Sequence, residues 1–86
     1  MKKYVDMVKD YIKKLTDDDI DYIRDRLLRR IGSDVAEVVE MLQGNPEMDW
    51  WLTQAETADD FFDMVDQVDS LVQQEAKKRF SNEQKK

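Results

Sequence analysis

Apolar residues recur along this chain every three or four positions, which is the spacing that lines one face of an α-helix. The first run covers residues 2–15 and the second covers about 17–31. Three more runs follow, at about 34–43, 46–55 and 57–80. The valines of the third run are interrupted by glutamates that break any two-residue alternation, so we interpret that run as helical too. The pattern predicts an all-α fold, a small bundle of four to five helices.

The same spacing predicts which side chains form the core. Those expected to face inward are Tyr4, Val5, Val8, Tyr11, Ile12, Leu15, Ile20, Ile23, Leu27, Ile31, Val35, Val38, Val39, Leu42, Met48, Trp51, Leu52, Ala55, Phe61, Met64, Val65, Val68, Leu71, Val72 and Ala76, with Leu28 at the margin. A core of this size in 86 residues is modest. Self-association as a homodimer is therefore a further expectation.

Capping residues mark the helix ends. Thr16 and Ser33 are predicted N-caps, and Gly32 is predicted to end the second helix as its C′ residue. Asn45 is the predicted N-cap of the fourth helix, with Pro46 as its first residue. These signals separate the first four helices from one another.

The boundary between the fourth and fifth helices depends on one pair of residues. Thr57 is followed three residues later by Asp60, a spacing like that of a capping box. Nothing else nearby forbids a continuous helix, so the sequence leaves that alternative open. We expect residues 1–80 to form a single helical domain and residues 81–86 to form a flexible basic tail.

Composition excludes several kinds of chemistry. Cysteine and histidine are both absent, which removes disulfides, thiol catalysis, cysteine-based zinc sites and the commonest general base. Asp17, Asp19 and Asp21 imitate the start of a calcium loop, but Tyr22 and Leu28 stand where that loop needs Gly and Glu. We expect neither an enzyme nor a metal or cofactor site. No apolar run has the length of a signal peptide or membrane span, so a cytoplasmic protein is expected.

Charge is strongly segregated along the chain. Between Ile31 and Ala76 there are twelve carboxylates and no Lys or Arg, and all fourteen basic residues lie outside that segment. Such segregation produces a long-range field that attracts a basic partner protein and repels a nucleic acid. We therefore expect no direct binding of nucleic acid.

The fifth helix concentrates this charge on one side. Asp59, Asp63 and Asp66 fall within about 60° of one another around the helix axis, with Asp60 and Asp69 at the borders. Aspartate is a poorer helix former than glutamate, and like charges one turn apart are destabilising. These carboxylates either form a solvated face that tolerates Asp or are presented to a cationic partner. The second interpretation requires that neither the chain's own arginines at 24, 26, 29 and 30 nor its C-terminal lysines cover them.

Trp50 is the second candidate contact. In a helix it points away from Leu52 and the inward face, and an exposed indole is a typical interface anchor. The alternative is that Trp50 folds against the preceding turn or the fifth helix. Glu47 and Asp49 would form an acidic rim around it.

Two functions fit these features. The first is a protein-interaction module, an adaptor or regulatory or inhibitory protein, that docks a basic partner protein through the Asp-rich helix face and Trp50. The alternative is a nucleic-acid mimic, a phage-type inhibitor whose carboxylate rows occupy the basic groove of a DNA- or RNA-binding defence protein. Carboxylates one helical turn apart approximate the spacing of phosphates closely enough for mimicry.

Overall fold

The described residues form five helices joined by short turns. A computed structural model describes the backbone of residues 2–29 and 31–84 and the side chains of residues 6–29 and 31–80. The helices are α1 (Lys2–Lys13), α2 (Asp17–Arg29), α3 (Gly32–Gln43), α4 (Pro46–Leu52) and α5 (Ala58–Gln84). The predicted small all-α bundle is confirmed.

Two of the predicted N-caps are present with the expected hydrogen bonds. Thr16 Oγ1 accepts from the Asp19 N–H at 3.1 Å, and Asp19 Oδ2 accepts from the Thr16 N–H at 3.4 Å. At the start of α4, Asn45 Oδ1 accepts from the N–H groups of residues 47 and 48, each at 3.0 Å, and Pro46 is the first helical residue. Both helices therefore begin where side chains satisfy free backbone donors.

The junction between α2 and α3 differs from the prediction. Ile31 is the N-cap of α3, with an extended backbone at φ −89° and ψ 134° and no side-chain capping bond. Gly32 is the first residue of α3, so it does not end α2, and Ser33 lies inside the first turn instead of capping it. Both predictions were wrong because the extended Ile31 takes the N-cap position and α3 begins directly after it. Ile31 itself is 53% exposed, which also contradicts its expected place in the core.

The turn between α4 and α5 is well defined. Helix α4 ends at Leu52, three residues before the predicted end, and the Thr53 hydroxyl donates to the carbonyl of Trp50 at 2.6 Å. Thr57 Oγ1 then accepts from the Asp60 N–H at 3.1 Å. The Asp60 carboxylate in turn accepts from the N–H of residue 56 at 3.2 Å. The two helices are therefore separate, as the capping pair predicts.

Helix α5 is the longest element. It spans 27 residues, or about 40 Å at the usual rise of an α-helix, and continues to Gln84. That end lies four residues beyond the predicted one. Lys85 and Lys86 lie outside the described residues, and the flexibility of the basic tail remains a prediction.

Helix α2 and each of the other helices pack against two neighbours. Helix α2 packs against α3 and α5, while α1 packs against α5 and α4, and α3 packs against α4. The buried core residues are Val8, Ile12, Ile20, Ile23, Leu27, Val38, Leu42, Met48, Trp51, Leu52, Val65, Val68, Val72 and Ala76. Every one of them belongs to the predicted inward set. Within the described part of the chain, no helix is both long and apolar enough to cross a membrane.

Candidate partner-binding surface

The acidic face of α5 consists of Asp59, Asp63 and Asp66, and all three residues are exposed. The carboxylate of Asp60, which borders this face, accepts from the N–H of residue 56 at the start of α5. Among the described residues, no ion pair connects Asp59 or Asp63 with a lysine or arginine. Asp66 and the neighbouring Asp69 do take part in interactions within the chain. Asp59 and Asp63 are therefore the part of the face on which an external cation would meet the least competition.

The described arginines of α2 pair elsewhere. Arg24 Nη1 lies 3.3 Å from Asp21, one turn earlier in the same helix. Arg29 lies 3.1 Å from Asp25. These pairs neutralise carboxylates of α2 itself. Arg30, the remaining arginine of the predicted cluster, lies outside the described residues.

A second set of contacts fastens α3 to α2. Arg26 Nε lies 3.0 Å from Glu37 Oε1, and the two groups form an ion pair. Their relative orientation does not give a hydrogen bond from Nε. The Tyr22 hydroxyl donates to the same Glu37 oxygen at 3.2 Å. The Arg26 guanidinium carbon also lies 4.7 Å from the centre of the Tyr22 ring, within the range of a cation–π contact. Glu37 is therefore a structural carboxylate that fixes α3, despite lying in the acidic segment.

Arg79 fixes the other end of α5. Its Nε donates to Glu75 at 2.8 Å, and its Nη1 donates to Asp17 at 3.0 Å. Its Nη2 donates to the carbonyls of Ile12 and Lys13 at the end of α1, at 3.5 and 3.1 Å. The hydrogen bond to Glu75, followed by the one to Asp17, raises the pKa of the Arg79 guanidinium above its ordinary value. One side chain thus joins α5 to the α1–α2 turn and sets the direction of α5 and its acidic face.

An apolar groove lies between α3 and α5, which both pack against α2. Its volume is about 610 Å³. The residues lining it are Leu27, Gly32, Val35, Ala36, Val39, Glu40, Phe61, Phe62, Val65, Asp66 and Asp69. Leu27 belongs to α2, and the other residues form the two walls. The polar side chains among them are all carboxylates.

Phe62 is the most exposed aromatic side chain of the groove. It is 56% exposed, and its ring meets that of Phe61 edge to face, with centroids 5.9 Å apart and planes at 72°. Edge-to-face pairs are favoured because the positive ring edge meets the negative face of the neighbour. The contact orients Phe62 while leaving much of its surface to water.

The groove and the acidic face are adjacent. Asp66 lines the groove and also lines a neighbouring concavity with Asp63, Gln67, Ser70 and Leu71. Asp63 therefore lies just beyond the groove edge, on the outer side of α5. A single partner can contact both surfaces at once.

Trp50 lies on a different helix. It is 47% exposed, whereas Trp51 beside it is buried, as the helical spacing predicts. Glu47 and Asp49 are also exposed on α4. None of these three residues is among the described residues that line the groove or the concavity next to it. The structure thus groups the predicted contacts into two clusters, one on α4 and one on α5.

The described carboxylates do not assemble a metal centre: across residues 6–29 and 31–80 no three Asp or Glu side chains are placed to hold an ion together. Comparisons with protein-family models, with curated proteins and with solved structures gave no match to this chain. The surface itself therefore provides the evidence on the function of this chain.

Proposed function

We propose that this chain is a protein-interaction module that binds a basic partner protein through the acidic face of α5. The observation that carries the proposal is the position of Asp59 and Asp63. Both are exposed and form no ion pair among the described residues. Asp63 also lines a concavity that shares Asp66 with the apolar groove. The described arginines of α2 form ion pairs with other carboxylates, and so does Arg79.

The two surfaces would contribute differently to binding. An exposed ion pair is worth about 0.2–1 kcal/mol, so Asp59 and Asp63 alone cannot give high affinity. They can accelerate encounter with a basic partner and exclude acidic ones. Burial of apolar surface at about 25 cal/mol per Å² supplies affinity, and the groove beside the face offers such surface. In this proposal Trp50, with Glu47 and Asp49, is a second contact for a partner that also reaches α4.

The nucleic-acid mimic remains the alternative. A mimic needs rows of carboxylates that follow a phosphate backbone, and it needs no apolar surface between them. The groove next to the acidic face therefore favours the interaction module. The two differ in one outcome, because a partner recognised by mimicry releases the chain when duplex DNA is added.

The test is affinity capture from a lysate of the source cells with three immobilised forms of the chain. These are the wild type, the double variant Asp59→Asn/Asp63→Asn and the control Asp10→Asn/Asp18→Asn, which removes two exposed carboxylates from α1 and α2. We expect a basic protein to be retained by the wild type and the control. Its affinity for the face variant should fall by about 2- to 30-fold, the loss of two exposed ion pairs.

The affinity of the purified pair should also weaken as salt rises from about 50 to 200 mM, because exposed charges are screened over that range. Equal losses in the face variant and the control would contradict the proposal, since they would reflect net charge alone. Displacement of the partner by duplex DNA would contradict it as well, in favour of mimicry.

A further inference from the structure

We infer that the partner element recognised by this surface is an amphipathic helix, with apolar side chains in the groove between α3 and α5 and Lys or Arg along its flanks. The inference depends on the proposed function and adds the kind of segment that the module binds. It comes from the shape of the groove, its exposed aromatic ring and the charges on its walls.

The groove has a shape that one additional helix, lying between α3 and α5, would fill. Its walls are α3, which is 12 residues or about 18 Å long, and the first half of α5. Both helices pack against α2, and Leu27 of α2 lines the groove between them. A helix laid over such a groove places residues i, i+3 or i+4 and i+7 in a row along it. A volume of about 610 Å³ accommodates several apolar side chains from such a row.

The apolar contacts of this helix would centre on Phe62. Aromatic side chains are enriched among the few residues that dominate binding energy in interfaces. Phe62 is more than half exposed and is oriented by Phe61, so little ordering is needed before it packs against a partner. Ala36 on the opposite wall is small and exposed, which leaves the groove open.

The walls determine the charge of the occupant. Neither α3 nor residues 58–76 of α5 contain a lysine or arginine. Glu40 lines the groove on the α3 side, and Asp63 lies beyond its α5 edge; both are exposed. A helix with Lys or Arg on both flanks would meet opposite charge on each side, whereas acidic flanks would be repelled.

Burial of α1 in the core distinguishes a partner helix from a second copy of this chain. The basic amphipathic helix of the chain itself is α1, and Val8 and Ile12 on its apolar side are buried in its own core. A second copy could therefore offer α1 to the groove only by unfolding its own bundle. This favours a helix from another protein.

The test uses designed peptides of about 15 residues, the length at which a helix of strong formers becomes stable enough to study. The probe consists of leucine and lysine in an amphipathic helical pattern. The comparison peptides are a scrambled one of the same composition and one with glutamate in place of lysine. We expect the wild-type chain to bind the probe at least about tenfold more tightly than either, measured by fluorescence anisotropy.

Two groove variants and one control locate the binding. Ala36→Arg fills the groove and adds a repelling charge, while Phe62→Ala removes the exposed ring. Each should weaken probe binding by at least about tenfold, the effect expected for loss of an interface anchor. Gln43→Arg adds the same charge to α3 outside the groove lining and should change affinity by less than about threefold. Circular dichroism confirms that each variant folds.

The outcomes separate the inference from the function on which it depends. Unchanged probe binding in Ala36→Arg and Phe62→Ala overturns the groove assignment. If Asp59→Asn/Asp63→Asn still weakens binding of the captured partner, the proposed function stands without it. If the groove variants weaken binding and the Asp variant does not, the groove is a binding site and the acidic-face proposal fails. A wild-type dimer that Phe62→Ala dissociates, seen by light scattering, would assign the groove to a second copy and overturn the inference.

Discussion

Replacing Arg79 with methionine should destabilise the fold more than any other change to a charged residue described above. Methionine keeps most of the aliphatic length of arginine and removes the guanidinium. The substitution deletes the hydrogen bonds to Glu75 and Asp17 and those to the two carbonyls at the end of α1. It also leaves the Glu75 carboxylate without its partner.

The magnitude follows from the exposure of each contact. The side chains of Arg79 and Glu75 are only 18% and 15% exposed, so their charged hydrogen bond is expected to contribute about 1.5–3 kcal/mol. Asp17 is 65% exposed, and its pair with Arg79 is expected to add less than about 1 kcal/mol. With the two hydrogen bonds from Arg79 to the carbonyls at the end of α1, the expected loss in the free energy of unfolding is about 3 kcal/mol. For a domain of this length that loss lowers Tm by about 12–24 °C.

The assay is thermal and urea denaturation followed by circular dichroism, with Lys78→Met as the control. Lys78 is the exposed neighbour of Arg79 in α5, and its replacement removes the same charge without breaking a described contact. Arg79→Lys should fall between the wild type and Arg79→Met, because an ammonium keeps the charge and loses the planar fork. A further double variant, Glu75→Met/Arg79→Met, should recover part of the loss, since no partly buried carboxylate then remains unpaired.

Two results would refute this reasoning. If Arg79→Met stays within about 0.5 kcal/mol of the wild type, the size of an ordinary surface substitution, the Arg79 contacts do not hold α5 in place. If Lys78→Met costs as much as Arg79→Met, the effect is one of helix charge and has no connection with the contacts.

Three other predictions concern the core, a cap and pH. Leu42 is fully buried, so Leu42→Ala should lower the free energy of unfolding in urea by about 2–5 kcal/mol. Leu28 is 74% exposed, so Leu28→Ala should change it by less than about 0.5 kcal/mol, and equal costs for the two variants would contradict the packing. Thr16→Ala should cost about 1 kcal/mol by removing the cap of α2, and an unchanged stability would show that this cap contributes nothing. Burial, with a smaller effect of Asp19, raises the pKa of Tyr11 above its ordinary value. The folded state therefore favours the neutral phenol, and this contribution to the free energy of unfolding is complete below about pH 10 and is lost as pH rises through the folded-state pKa. Tyr11→Phe should therefore lose less stability than the wild type between about pH 9 and 11, and equal losses would contradict that assignment.

Features that depend on nearby residues were predictable from the sequence. Thr16 and Asn45 cap their helices through partners two or three residues away, so the spacing alone identified them. The buried residues of all five helices follow the helical period for the same reason. Ile31 was misassigned because its backbone is extended and it lies before α3, where the helical period does not apply.

The features that form the candidate site depend on contacts between distant segments. Arg79 bonds to residues 62–67 positions earlier in the chain, and no local pattern distinguishes it from Lys77 or Lys78. The apolar groove exists because α3 and α5 both pack against α2 and leave space between them. Its Phe62 could be located on the helix from the sequence, but whether a neighbouring helix covers it is decided only by the fold. The Asp-rich stripe was visible in the sequence, and its position beside the groove was not.

The central claim is that a basic amphipathic helix binds across the groove and the acidic face of α5. It is tested most directly by titrating the leucine–lysine probe into isotopically labelled wild-type chain and following the backbone amide signals by NMR. We expect the largest shifts on residues 35–40 of α3 and 58–70 of α5, including Ala36, Phe62 and Asp63. Shifts concentrated around Trp50 on α4, or spread evenly over all five helices, would contradict it.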